Sequence, residues 1–163
     1  MPDQNSPSAD AVVWPDLAGR VVVVEGRRRH VLPIRVYFED TDFSGLVYHA
    51  SYVRWCERGR SDFLRLLGND HRTLIEGAGG SEPAAFVVRR MQLEFLKPAR
   101  IDEVLEVATR VGELTAATLV LAQAVSRGGE TLFEATVTVV LVGQSGRVLR
   151  ISQALRRALA PSA

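Results

Sequence analysis

Residues 37–67 read YFEDTDFSGLVYHASYVRWCERGRSDFLRLL, and the fold turns on how this stretch is interpreted. It starts as a strand, passes through an acidic turn containing Gly45, and enters an amphipathic segment predicted to be helical over 51–67. Val53, Cys56, Arg60, Phe63 and Leu67 recur at helical spacing, and Tyr52, Trp55, Gly59 and Leu66 widen the apolar stripe. So broad a face suits a helix wrapped by a sheet. Arg58 and Asp62, at i,i+4, are placed to support its solvent side. Gly68-Asn69 supplies a stop. A short helical turn over His71–Glu76 and a flexible connection over GAGGSEP (77–83) are expected to follow.

Working outward toward the N-terminus, residues 30–39 form the first strand, with Pro33 marking an edge or an irregularity. Val21–Val24 is a β-branched run closed by Glu25-Gly26, so 20–29 is expected to add a short edge hairpin. Arg27, Arg28 and Arg29 then fall at its tip, as solvated charge that discourages edge pairing or as a phosphate contact. Residues 1–19 lack periodicity and read as a flexible tail.

Toward the C-terminus the period changes from 3.6 to 2 at Ala85. Val87, Met91, Leu93 and Phe95 are expected on one strand face, with Val88, Arg90, Gln92 and Glu94 on the other. Lys97-Pro98-Ala99-Arg100 turns the chain into a strand carrying Leu105, Val107, Thr109 and Val111. Strands over 117–126 and 131–142 follow, joined at Arg127-Gly128-Gly129, and 151–160 reads as a C-terminal helix. Short connections imply antiparallel neighbours. The class is α+β: one domain over 20–160, with a sheet of five or slightly more strands around one long helix.

Composition excludes several functions. The chain has 163 residues, 47% of them hydrophobic, ample for one core. Twenty basic against 19 acidic groups leave a net charge of +1, which gives no field for nucleic acid or an anionic membrane. Cys56 is the only cysteine, consistent with a reducing, cytoplasmic compartment. No secretory leader or membrane-inserted segment is expected.

The corner between strand and helix is where chemistry is expected. Asp42 and His49, seven residues apart, flank its loop. A helix starting near 49–51 presents unpaired N–H groups and the positive end of its dipole, suited to a carbonyl oxygen that gains negative charge. Gly45 lets a ligand approach the backbone. A carboxylate beside it could attack the carbonyl carbon or activate water. Asp40 and Asp42 also fit as turn and cap residues, and Cys56 falls in the apolar stripe as a core residue. Asp40, Asp42 and His49 have neither the i,i+4 His pair nor the CxxC of a metal site, so no metal or cofactor is expected.

The run RVYFEDTDFSGLVYHASYVRWCERGRSDFLR, with FVVRRMQLEFLKPARIDEVLEV downstream, resembles the hotdog-fold acyl-CoA thioesterases. The branch it resembles is the 4-hydroxybenzoyl-CoA thioesterase-like group, and within it the YbgC-type enzymes encoded beside the Tol-Pal envelope system. The resemblance covers about residues 30–142. It implies hydrolysis of an acyl-CoA thioester, a homodimer or homotetramer paired through the strand beginning at Ala85, and active sites at the subunit interface. It assigns catalysis to Asp42 and His49, and carbonyl polarisation and substrate positioning to Ser44, Gly45 and the backbone near Tyr48–His49. Asp40 becomes a residue that shapes the turn. Arg89, Arg90, Lys97 and Arg100 are candidates for the nucleotide end of CoA, and an acyl carrier protein is a candidate partner. Two departures are Phe38, where relatives often carry Tyr, and Phe43-Ser44, where small residues are common. The rival readings are a hotdog hydratase or dehydratase and a non-catalytic subunit that binds carrier protein. The seven-residue spacing without an Asn two positions after Asp42 argues against the hydratase.

Overall fold

Glu25 and Gly26, both left-handed with φ of 50° and 74°, turn the chain between β1 (Arg20–Val24) and β2 (Arg27–Arg35). Positive φ at both central residues is what a two-residue hairpin turn requires to match strand twist. The computed structural model describes residues 18–69, 71–77 and 82–160. Residues 1–17 of the expected tail and 78–81 of the expected connection lie outside them. The three arginines lie in β2, not at a charged tip: Arg28 Nη1 donates to the Ala158 carbonyl (3.2 Å) and Arg29 pairs with Glu106 (2.9 Å). β1 stops opposite Val31, which leaves that flank of β2 uncovered beside Pro33.

β2 ends at Arg35 and does not run on to Glu39, because Phe38–Asp40 folds into a 3-10 turn. The chain then forms α1 (His49–Leu66), α2 (His71–Glu76), β3 (Ala84–Phe95), β4 (Val104–Leu114), β5 (Thr118–Arg127), β6 (Glu130–Gly143) and α3 (Gln153–Leu159). All strands join one sheet of six in the order β1-β2-β4-β5-β6-β3, each pair of neighbours antiparallel. The strand beyond the expected five is β1, and β3 forms the opposite edge.

α1 lies across one face of this sheet. It buries Ser51, Tyr52, Trp55, Cys56, Gly59, Phe63 and Leu64. Facing it are Phe133, Ala135, Val137, Val139 and Leu141, the alternate residues of β6 that the period of two picks out. Fully burying one side chain of this size contributes roughly 1.5–3 kcal/mol. Leu66, counted in the predicted stripe, is 47% exposed, and Leu64 takes the inward place. The expected Arg58–Asp62 pair does not form. Asp62 instead pairs with the exposed Arg65 on the helix surface and with the fully buried His30, whose Nε2 is 2.7 Å from its carboxylate. That contact ties β2 to the outer half of α1.

β3 differs from its predicted faces. Its register against β6 shifts between Val88 and Arg90, so Arg89 is an extra, unpaired residue. A bulge reverses parity. Before it Ala84 and Phe86 turn toward the core, and after it Met91 and Leu93 do, while Val87 is exposed. Among the described residues, no helix is long and apolar enough to cross a membrane.

Candidate active site

Asp40 builds the corner. Its carboxylate accepts the Tyr37 N–H (3.0 Å) and lies 3.7 Å from the Arg54 guanidinium. Its carbonyl accepts the Tyr48 N–H (2.8 Å) and the Ser51 hydroxyl (3.2 Å). One buried residue thereby joins the end of the 3-10 turn to the start of α1. Asp40 is thus directed into scaffold contacts, and Asp40, Asp42 and His49 do not converge as metal ligands would.

The loop between these anchors is a narrow hairpin. Thr41 bridges Val47, the Asp42 N–H donates to the Leu46 carbonyl (2.9 Å), and the Gly45 N–H donates to the Asp42 carbonyl (3.0 Å). Gly45 has φ of 75°, a conformation that strains other L-residues. The far side of the loop is clamped to the turn after β3, where Leu46 bridges Arg100 and the Val47 N–H donates to the Ala99 carbonyl (2.9 Å). The buried Tyr52 hydroxyl holds that turn from inside by accepting the Ala99 N–H (3.1 Å).

Asp42 projects from this hairpin into solvent. Its Oδ1 accepts both the Ser44 hydroxyl (2.5 Å) and the Ser44 N–H (2.8 Å). The hydroxyl most, and the N–H next, hold the carboxyl below its usual range. The backbone N–H of Leu46 adds a smaller contribution in the same direction. At neutral pH Asp42 is an anion.

The N-terminus of α1 has open donors at His49, within the Tyr48–His49 stretch expected from the sequence, and at Ala50, but not at Tyr48. The Tyr48 N–H is taken up by Asp40, and no side chain caps the helix at Tyr48. The N–H groups of His49 and Ala50 have no acceptor among the described residues. Ala50 was absent from the sequence-derived set. A helix's unpaired donors begin at its first residue, but that Tyr48 is closed by Asp40 is a tertiary fact. The His49 ring packs against Tyr48 (4.3 Å between centroids) and the edge of Phe95 at the end of β3 (6.3 Å). No hydrogen bond joins it to Asp42.

The four proposed CoA-binding cations fall in different places. Arg100 is exposed, and its backbone is bridged to Leu46 beside the Asp42 loop. Lys97 follows Phe95 and pairs with Glu130, which also binds Arg127. Lys97 first and Arg127 second pull the Glu130 carboxyl down. Arg89 and Arg90 lie in the middle of β3, roughly 17–20 Å along the strand from Phe95 at ~3.3 Å per residue, and do not meet the corner of their own chain. Cys56 is fully buried, and burial pushes its thiol up to about 12, so it is no nucleophile. Around the corner Phe38 (81%), Phe43 (fully) and Phe95 (51%) are exposed, an apolar collar next to the free edge of β3.

A single antiparallel sheet laid over one long helix, with an anionic carboxylate on the hairpin that leads into that helix, defines the class as a hotdog-type α+β fold. The chain belongs to the thioesterase superfamily, whose family model matches residues 44–134. The acyl-CoA thioester hydrolase YbgC of Escherichia coli is 44% identical over 111 residues, 68% of this chain and 79% of that protein. A probable thioesterase from Bartonella henselae superposes with a TM-score of 0.73 at 41% identity, covering 76% of this chain and 99% of its own. A 4-hydroxybenzoyl CoA thioesterase mutant crystallised with 4-hydroxybenzoyl CoA shares the fold, with a TM-score of 0.74 at 18% identity, over 81% of this chain and 99% of that one.

Proposed function

We propose that this chain hydrolyses an acyl-CoA thioester to the free acid and CoA at the Asp42 corner. The observation that carries this is an ionised, exposed carboxylate on the hairpin that leads directly into α1, whose first N–H groups, those of His49 and Ala50, are unpaired among the described residues. The thioester carbonyl oxygen binds at those N–H groups, where charge developing on it is stabilised. Asp42 then either attacks the carbonyl carbon, expelling the CoA thiolate and leaving a mixed anhydride for water to cleave, or takes a proton from the attacking water. In either role Asp42 acts as the anion, the form that its lowered carboxyl holds at neutral pH. His49 is placed to orient the substrate or to protonate the departing thiolate, and Arg100 to meet the phosphates of CoA.

The functional unit is a homodimer, or a homotetramer of two such dimers, with β3 edges paired antiparallel across a two-fold axis. The unpaired edge of β3 displays Val87, Val88 and Phe95, and a long apolar edge of this kind needs covering. The corner's exposed aromatic collar continues that surface. The enzyme is placed in the cytoplasm, and an acyl carrier protein is an alternative bearer of the acyl group.

A thiol-release assay across short, aromatic and long acyl-CoAs tests the reading. Asp42→Asn is expected to lose ~10²–10⁴-fold in rate. Full turnover by that variant would remove Asp42 from catalysis. Hydration of crotonyl-CoA without free thiol would replace the thioesterase with a hydratase. Carrier-protein binding with no thiol release from any substrate would leave a binding subunit.

A further inference from the structure

Beneath the outer half of α1 lies an apolar cavity of about 90 Å³. Leu64 on the helix and Phe86, Leu119, Leu121 and Val139 on the sheet supply its apolar lining, Arg60 and His71 its polar part, and the exposed Glu57 of α1 and Val88 of β3 mark its mouth. It holds on the order of three water-sized volumes at ~30 Å³ each, room for a short acyl tail. Its inner end is closed by Phe63 and by Leu159 of α3. Both residues also line a second, smaller space of about 20 Å³ bounded by Arg27, Arg28 and Arg110. Phe63 and Leu159 are therefore the partition between the two spaces.

The cavity is too far along α1 to serve the corner of its own chain. From His49 to Leu64 the helix advances roughly 22 Å at 1.5 Å per residue. The partner's corner is better placed, and here the argument rests on the thioesterase dimer proposed above. Antiparallel pairing of the whole of β3 with its copy sets the partner's Phe95, which marks that subunit's catalytic corner, opposite Ala84. Phe86 and Val88, at the cavity, then lie beside it. An acyl chain held at the partner's corner meets this mouth.

We propose that Leu159 is the stop that sets acyl-chain length: it closes the blind end of a cavity that receives the acyl tail of the partner's substrate. α3 lies beyond the residues matched by the family model, so this determinant belongs to the chain's own C-terminal helix.

Leu159→Ala removes the partition from one side and joins the two spaces, while Leu159→Phe enlarges it. The measurement is kcat/KM over a series of straight-chain acyl-CoAs, with the dimer confirmed by gel filtration. Leu159→Ala is expected to move the optimum to longer chains, with about a fourfold gain for each methylene newly accommodated. Leu159→Phe is expected to move it to shorter chains. A role confined to packing α3 would change the rates for all chain lengths alike, and that outcome, or unaltered profiles in both variants, overturns the proposal while thioesterase activity stands. A wild-type protein that releases no thiol from any member of the series overturns the thioesterase reading and this inference with it.

Discussion

In the Asp42 loop, the Ser44 hydroxyl and the Ser44 N–H meet the same carboxylate oxygen. Ser44 therefore sets both the charge and the direction of Asp42. Because the hydroxyl is the largest cause of the lowered carboxyl, Ser44→Ala should raise it toward the ordinary value of 3.8. The acid limb of the kcat/KM profile should then move to higher pH, and a titration of rate between pH 3 and 7 reads this directly. The sign for folding follows the same shift. A depressed carboxyl contributes stability present above its unfolded-state value and lost as pH falls through its folded value, so the serine variant gives up part of that acid-side contribution. The corner was legible in the sequence because turn residues, a glycine and a helix start are local signals. Which N–H groups remain open there was not. The closure of Tyr48 onto Asp40 depends on how the loop folds back, and it leaves the free donors at His49 and Ala50.

α1 could be read from its periodicity, and it packs tightly on the sheet at Gly59, which faces buried Thr109 and Val107 of β4. A methyl group added at Gly59 would lie 3.0 Å from Thr109 Oγ1 and 3.1 Å from Val107 Cγ1. Thr109 has little freedom to yield, since it is fully buried and its hydroxyl accepts the Gln123 amide (2.8 Å), which also donates to the Cys56 carbonyl. Gly59→Ala gains up to about 1 kcal/mol of helix propensity. Overpacking costs about 1–3 kcal/mol, and with a neighbour fixed on two sides the crowding should win. The variant is expected to unfold at lower temperature and lower urea concentration, which calorimetry and a urea titration would each register. β3 shows the opposite limit of a sequence reading. Alternation revealed a strand, yet one extra residue at Arg89 reverses which side chains face inward. Nothing in a period of two announces a bulge, because it arises from the mismatch in pairing with β6. Asp62 likewise has a ready partner in Arg58 on the helix surface, but the partner it takes in the core, His30, comes from a strand 32 residues earlier.

At the scale of the molecule, Asp42 and the cavity lined by Leu64 lie toward opposite ends of α1, and in the proposed dimer a second subunit would bring one to the other. A pair of variants can test this arrangement without a structure of the dimer. Asp42→Asn removes the carboxylate. Val88→Trp fills the cavity mouth from a half-exposed position on β3, where an aromatic residue is well tolerated in a strand. Each variant alone should hydrolyse little of an acyl-CoA whose tail needs the cavity. A dimer purified to contain one chain of each, through two different tags, unites the intact Asp42 of one chain with the intact cavity of the other at one of its two sites. It should recover about half of wild-type activity. The reciprocal dimer carries both substitutions on one chain and none on the other. It offers no site in which an intact carboxylate faces an intact cavity across the interface, so it should be nearly inactive. If each corner used the cavity of its own chain, the two mixed dimers would exchange results: the first silent, the second half active. That exchange would overturn the shared-site dimer while leaving thioester hydrolysis itself in place.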